Sequence, residues 1–170
     1  EVRFQTGDGG SAQENRTTSR AKANPADMEE WRELNHRWFQ FGAFTPLFRS
    51  HGEVVKREIY NIAAGDDAMR DNMVWWLKLR YRLMPYIYTA ASDTHYRSGT
   101  MMRGLAMDFP NDDKARNVKD QYMFGPSFLV APVYAYKARQ RQVYLPAGAD
   151  WYDFHTGERH QGGATRTIAA

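Results

Sequence analysis

The sequence predicts an α+β chain: the last strand–helix units of a (β/α)8 barrel, followed by an antiparallel, sandwich-like β unit. Three observations carry this expectation. Apolar residues recur at three- and four-residue spacing over two long stretches before Gly99. A short apolar run closed by polar residues and Gly lies between those stretches. After Gly99 the period changes to short β-branched and aromatic runs, punctuated by Pro, Gly and Asp. The expected boundaries are 1–23 for an irregular lead-in, 24–100 for the C-terminal part of a barrel, and 101–170 for the start of a β-sandwich domain.

Taken in order, residues 1–23 contain TGDGGSAQENRTTSRAKA, polar and almost free of large apolar side chains, which reads as a loop or disordered segment. Asn24 then suits an N-cap and Pro25 the first helical position. Asp27, Glu29 and Glu30 put negative charge where the helix dipole favours it. Met28, Trp31, Leu34, Trp38 and Phe41 form one apolar stripe, and Gly42 ends the helix. Ala43 to Gly52, AFTPLFRSHG, reads as a brief strand with a loop at its C-terminal end, and 53–67 as loop. A long helix is expected from about Ala68 to Tyr96 on the stripe Met73, Trp76, Leu77, Met84 and Ile87. Pro85 should kink or divide it, and Gly99 should stop it. MMRGLAMDFP, SFLVAPVYAY, RQVYLP and DWYDF then read as strands too close together for helices between them.

Composition narrows the functional classes. The chain has 170 residues, enough for one domain or parts of two, and 42% of them are hydrophobic. The net charge of +3 is small and spread along the chain, which argues against a nucleic-acid partner. The absence of Cys removes disulfides and thiolate metal sites. No apolar run approaches the roughly 18 residues that span a membrane. No secretory signal and no initiator Met open the chain, so a mature or truncated product is expected, cytoplasmic or periplasmic. The 5 Trp, 10 Tyr and 9 Phe can be platforms for sugar rings, but core filling is the more common role of such residues.

His51 is the sharpest chemical feature. It stands at the C-terminal end of an expected barrel strand, the end that forms active sites in this architecture, flanked by Arg49 and Gly52. A His there can exchange hydrogen bonds with sugar hydroxyls, or it can be an ordinary loop residue satisfied by nearby backbone. Spacing alone leaves both readings open. Asp153, His155, Glu158 and His160 form a loose cluster that reads as a turn between strands, with no metal assigned. Asp8-Gly9-Gly10-Ser11 lacks the lysine and flanking strand of a phosphate loop, and no cofactor is expected.

Several ordered segments resemble glycoside hydrolase family 31, which includes α-glucosidases and α-xylosidases. They are WRELNHRWFQFGAFTPLFRSHG, REIYNIA, LKLRYRLMPYIYT, GTMMRGLAMDFPND, DQYMFGPSFLVAPV and VYLPAGADWYDFHTG, followed by Gly162-Gly163. The wording of RSHG and REIYNIA is most like bacterial α-xylosidases. The resemblance implies retaining hydrolysis of terminal α-linked sugars, with a xylosyl or glucosyl oligosaccharide as partner. It implies that His51 contacts the non-reducing sugar, that Phe48 packs near the pocket floor, and that Arg49, Arg57 and Glu58 brace the loop. Asp8 would be a further sugar contact, but the family's Asp is separated by one residue from Gly-Gly-Phe; here Gly9 follows directly and Ser11 replaces the aromatic.

A retaining glycosidase needs two carboxyl groups about 5–5.5 Å apart. The resemblance places both on barrel strands before the first matched segment, so no catalytic residue is assigned in this chain. Asp27, Glu29, Glu30 and Glu33 belong to an amphipathic helix, Asp66 and Asp67 to a helix start, and Asp108, Asp112 and Asp113 to a turn. The chain alone is expected to be inactive and to need the N-terminal part of a barrel, because a barrel closes only with all its strands in register. A non-catalytic carbohydrate-binding or accessory module is the alternative.

Overall fold

The computed structural model describes residues 24–51 and 56–170. They fall into two compact units: the described part of Glu1–Pro85 with Val133–Lys137, and Tyr86–Pro132 with Ala138–Ala170.

The first unit is helical. Helix α1 spans Pro25–Gly42. Its N-cap is Asn24, whose side chain accepts from the Ala26 amide at 3.0 Å, with Pro25 in the first turn. Helix α2 is the single turn Ile59–Ile62, and α3 spans Asp67–Arg82. Asp66 caps α3 by accepting from the Met69 amide at 2.9 Å. Trp31 of α1, Ile62 of α2 and Met73 of α3 are buried together, with Met28, Phe39, Ile59 and Met69 packed around them. Thus the α1 stripe reaches the core through Met28 and Trp31, while Trp38 lies at its edge, 37% exposed.

The long helix is divided as Pro85 requires. Helix α4 spans Met84–Arg97, separated from α3 by Leu83. Proline at 85 has no N–H to donate to Tyr81, and its ring disfavours helical backbone just before it. At the other end Ser98, not Gly99, adopts the positive φ of 56°. The Gly99 amide instead donates back to the Asp93 carbonyl at 3.2 Å.

Two sequence expectations are corrected. Residues 43–51 form no paired strand. Their carbonyls turn to a side-chain donor, described below, rather than to a neighbouring strand, and Pro46 has no N–H for a ladder. Within MMRGLAMDFP only Met102–Gly104 is a strand, β1; Leu105–Asp108 is a helical turn, α5. The Phe109 amide donates to the Leu105 carbonyl at 2.9 Å, the i to i−4 bond that closes a helical turn and that a strand does not make.

The second unit is antiparallel throughout. β1 pairs with β2 (Tyr122–Phe124), and β2 with β3 (Phe128–Val130). β4 (Gln140–Leu145) pairs with β7 (Ala164–Ala169), and β5 (Asp150–Tyr152) with β6 (Arg159–Gln161). Leu105, Ala115, Met123 and Tyr144 form its core. Gln121 and Tyr144 exchange two buried hydrogen bonds of 2.8 Å, so neither buried amide group is left unpaired. Gly162 must be glycine, since a Cβ would stand 2.2 Å from the Pro146 carbonyl oxygen.

Asp112 ties this unit together. Its carboxylate accepts from the amides of Ala147 (2.8 Å), Ala115 (3.0 Å) and Lys114 (3.0 Å), and from the Tyr144 hydroxyl. The Ala147 and Ala115 amides, then the Tyr144 hydroxyl, hold its pKa down at about 2. Burial, and then the bond to Asp112, push the Tyr144 phenol up to about 12. A depressed carboxyl contributes stability that is full above its unfolded pKa of roughly 4 and is lost as pH falls toward its folded value. Asp112→Ala is expected to destabilise this unit by roughly 1–2 kcal/mol. Thermal melts should show the wild type losing its advantage over the variant between about pH 4 and pH 2.

Candidate functional site

The site is built on the segment that leaves α1. Ala43, Phe44 and Thr45 turn back on the helix through amide bonds to Phe39, Phe41 and Gly42 carbonyls. The Thr45 hydroxyl reaches the carbonyls of Gly42 (2.9 Å) and Leu47 (2.8 Å). Phe48 then folds onto α1, edge to face with Phe39 at 4.8 Å between ring centres. Its ring lies so close to Gly42 that a Cβ there would come within 2.7 Å of it. Gly42 is therefore required for this close approach.

Arg80 of α3 fixes this segment. Its guanidinium donates to the carbonyls of Ala43 (2.9 Å), Thr45 (2.6 Å) and Pro46 (3.2 Å). Only 9% of the residue is exposed, and burial lowers its pKa. A planar fork of five donors can serve three converging carbonyls, which a lysine ammonium does less well. The expected helical stripe contained this charged position and sequence reasoning missed its role. The available signal was a charge seven residues after Met73 and seven before Ile87, on an otherwise apolar face.

Beyond Phe48, Arg49 and His51 are exposed and meet each other: the Arg49 Nη2 is 3.1 Å from His51 Nδ1. Ser50 donates to the Arg57 carbonyl at 3.0 Å, which closes the loop after His51 at its base. Glu58 begins α2, offering its carbonyl to the amides of Asn61 and Ile62, while its carboxylate accepts from the Asn61 side chain at 3.0 Å. Thus Phe48, Arg49 and His51 lie on one described segment, Arg57 and Glu58 on the next, and the Ser50–Arg57 bond joins the two. Asp8 and Gly52 lie outside the described residues.

A second polar cluster, also missed in the sequence, joins α1 to α3. Asn72 Oδ1 meets His36 Nε2 at 2.7 Å and accepts from Trp76 Nε1 at 3.0 Å and Gln40 Nε2 at 3.3 Å. Burial holds the His36 imidazole below its ordinary range. The two pairs, His36 with Gln40 and Asn72 with Trp76, are each spaced four apart on facing helices.

The acids and histidines of the β unit are committed elsewhere. Asp153 accepts from the His155 and Thr156 amides, both at 2.8 Å, shaping the β5–β6 turn. Among the described residues no group of three or more His, Asp or Glu side chains is placed to hold a metal. No described helix is long and apolar enough to cross a membrane.

The described chain is thus a helical unit with Phe48, Arg49 and His51 beyond its first helix, joined in sequence to an antiparallel β unit. Residues 17–90 match the Glycosyl hydrolases family 31 TIM-barrel domain, and 98–170 match the Glycosyl hydrolase family 31 C-terminal domain. The chain belongs to glycoside hydrolase family 31. It is 38% identical over 140 residues to an α-xylosidase of Saccharolobus solfataricus, covering 82% of this chain and 19% of that protein. It is 35% identical to α-glucosidase 2 of Bacillus thermoamyloliquefaciens, covering 81% and 17%. The crystal structure of the family 31 α-xylosidase from Xanthomonas citri superposes with a TM-score of 0.84 at 55% identity, covering 88% of this chain and 16% of that one. The chain thus spans less than a fifth of the length of each of these relatives. The described residues contain helices and antiparallel sheets and no closed barrel.

Removing the guanidinium strands three carbonyls at once. Arg80→Met is expected to cost about 3 kcal/mol, and Arg80→Lys less, measured by denaturant unfolding. Gly42→Ala is expected to cost roughly 1–3 kcal/mol by forcing Phe48 off α1, seen as a loss of ring contacts between Phe48 and Phe39 in NMR.

Proposed function

We infer that this chain forms part of a retaining glycosidase of the α-xylosidase or α-glucosidase type, acting on terminal α-linked xylosyl or glucosyl residues. Residues 24–100 would supply the C-terminal part of the catalytic barrel, and 101–170 the start of the C-terminal β-sandwich. The spans of the two family matches support that division.

His51 contacts hydroxyls of the non-reducing sugar, and Phe48 forms the floor beside it. Arg49, Arg57 and Glu58 shape the loop that carries them. One observation carries this reading. His51 follows directly on a segment clamped by Arg80, in a chain 55% identical over most of its length to a family 31 α-xylosidase. The clamp makes the position of a loop histidine reproducible, which sugar recognition needs and a solvated loop does not.

Retaining hydrolysis requires a nucleophile that forms the glycosyl-enzyme bond and an acid that protonates the leaving oxygen, then activates water. In this reading both carboxyl groups come from barrel strands outside residues 24–170. The carboxylates here have other work: Asp66 caps a helix, Asp108 takes the Arg103 guanidinium, and Asp112 and Asp153 hold backbone amides.

The 170-residue chain is accordingly expected to give no turnover of aryl α-xylosides or α-glucosides. Saturable turnover abolished by changing an acid within the chain would contradict this. Calorimetric binding of a xylo-oligosaccharide should weaken at least tenfold in His51→Ala, the loss of about 1.4 kcal/mol or more. Binding without turnover that ignores His51 would favour an accessory module using another surface.

A further inference from the structure

We propose that Arg49 is the positioning residue of this site, holding His51 in the tautomer that carries its proton on Nε2, so that the ring donates a hydrogen bond to a sugar hydroxyl oxygen. The sugar in this statement rests on the functional reading above; the tautomer does not.

Arginine has five N–H donors and no acceptor, and it keeps its charge in proteins. The Arg49 Nη2 stands 3.1 Å from His51 Nδ1. That contact is a hydrogen bond only if Nδ1 offers its lone pair. A proton on Nδ1 would set two N–H groups head to head. In a neutral imidazole with Nδ1 as acceptor, the single proton is on Nε2.

The surroundings keep the pair in place. Phe48, just before Arg49, is packed on Phe39 and Gly42. Ser50, between the two partners, is tied to the Arg57 carbonyl. Upstream, Arg80 holds the chain through Pro46. The exposed pair is therefore presented from a segment tied at Pro46, Phe48 and Ser50, and the Nε2 of His51, with no partner among the described residues, is the donor end.

This sets a rule for recognition. A hydroxyl met by an Nε2–H must accept, and its own proton must go to a different acceptor. Fluorine can accept weakly and cannot donate. At the hydroxyl that His51 contacts, a deoxyfluoro sugar should therefore bind better than the plain deoxy sugar.

Long-range 15N–1H NMR of the 170-residue chain, taken above the imidazole titration range, tests the tautomer. The wild type is expected to show a protonated Nε2 and an imine-type Nδ1 in His51. Arg49→Met should give an averaged pattern or a protonated Nδ1 with the melting temperature unchanged, and Arg49→Lys should recover the wild-type pattern. A protonated Nδ1 in the wild type overturns the proposal, as does a pattern identical in Arg49→Met. Calorimetry with methyl α-xyloside and its deoxy and deoxyfluoro analogues tests the donor. Arg49→Met should bind roughly fivefold more weakly, and the fluoro analogue should exceed the deoxy one only at the position sensed by His51→Ala. Equal binding of that pair overturns the donor role. The stated protonation pattern with sugar binding that is identical in His51→Ala overturns the functional reading of His51 and leaves the tautomer standing.

Discussion

The candidate site depends on one buried cation. Arg80 sits buried on α3 with its guanidinium aimed at the carbonyls of Ala43, Thr45 and Pro46. Burying such a group without partners would be costly, so the three carbonyls and the guanidinium need each other. The constraint runs both ways. Among the described residues the segment after α1 has no strand neighbour to take its carbonyls, and the arginine meets carbonyls and no carboxylate. Each supplies what the other lacks, and the chain from Ala43 to Pro46 is held in one course as a result.

From that course the rest of the site follows. With Pro46 fixed, Phe48 is directed back onto α1, where only a glycine at 42 leaves room for its ring. Ser50 then meets the Arg57 carbonyl, and Arg49 and His51 meet each other outside the packed layer. The division of labour is clear in the chemistry: apolar contact places Phe48, a buried charge places the backbone, and exposed polar groups remain for a ligand. The β unit is held by different means. Its main polar anchor, Asp112, gathers three backbone amides and the Tyr144 hydroxyl, and so is spent on structure.

Local rules were legible in the sequence where one residue decides the outcome. Asn24 with Pro25 marked the start of α1, Pro85 marked the break between α3 and α4, and Asp66 marked the start of α3. Family membership was legible because many short segments occur in order. What was not legible depends on partners far along the chain. AFTPLFRS has the look of a strand, but a strand is defined by its neighbour, and here Arg80 takes that place across more than thirty residues. LAMD carries too few residues to show a helical period, and the bond from the Phe109 amide to the Leu105 carbonyl reveals it. The Asn72 cluster escaped for the same reason: His36 and Asn72 are each unremarkable until two helices bring them to 2.7 Å. The exposed aromatics Tyr60, Tyr81 and Tyr88, each more than 70% accessible, show that apolar spacing alone does not decide burial in this chain.

The central claim is that Arg80 fixes the segment presenting His51. Amide hydrogen exchange tests it most directly. The Phe44 and Thr45 amides, bonded to the Phe41 and Gly42 carbonyls, should be protected in the wild type. In Arg80→Met they should exchange at least tenfold faster, while the core amide of Met73 keeps its protection relative to global unfolding. Unchanged exchange at Phe44 and Thr45 in the variant would show that the segment holds its course without the guanidinium, and would contradict the account.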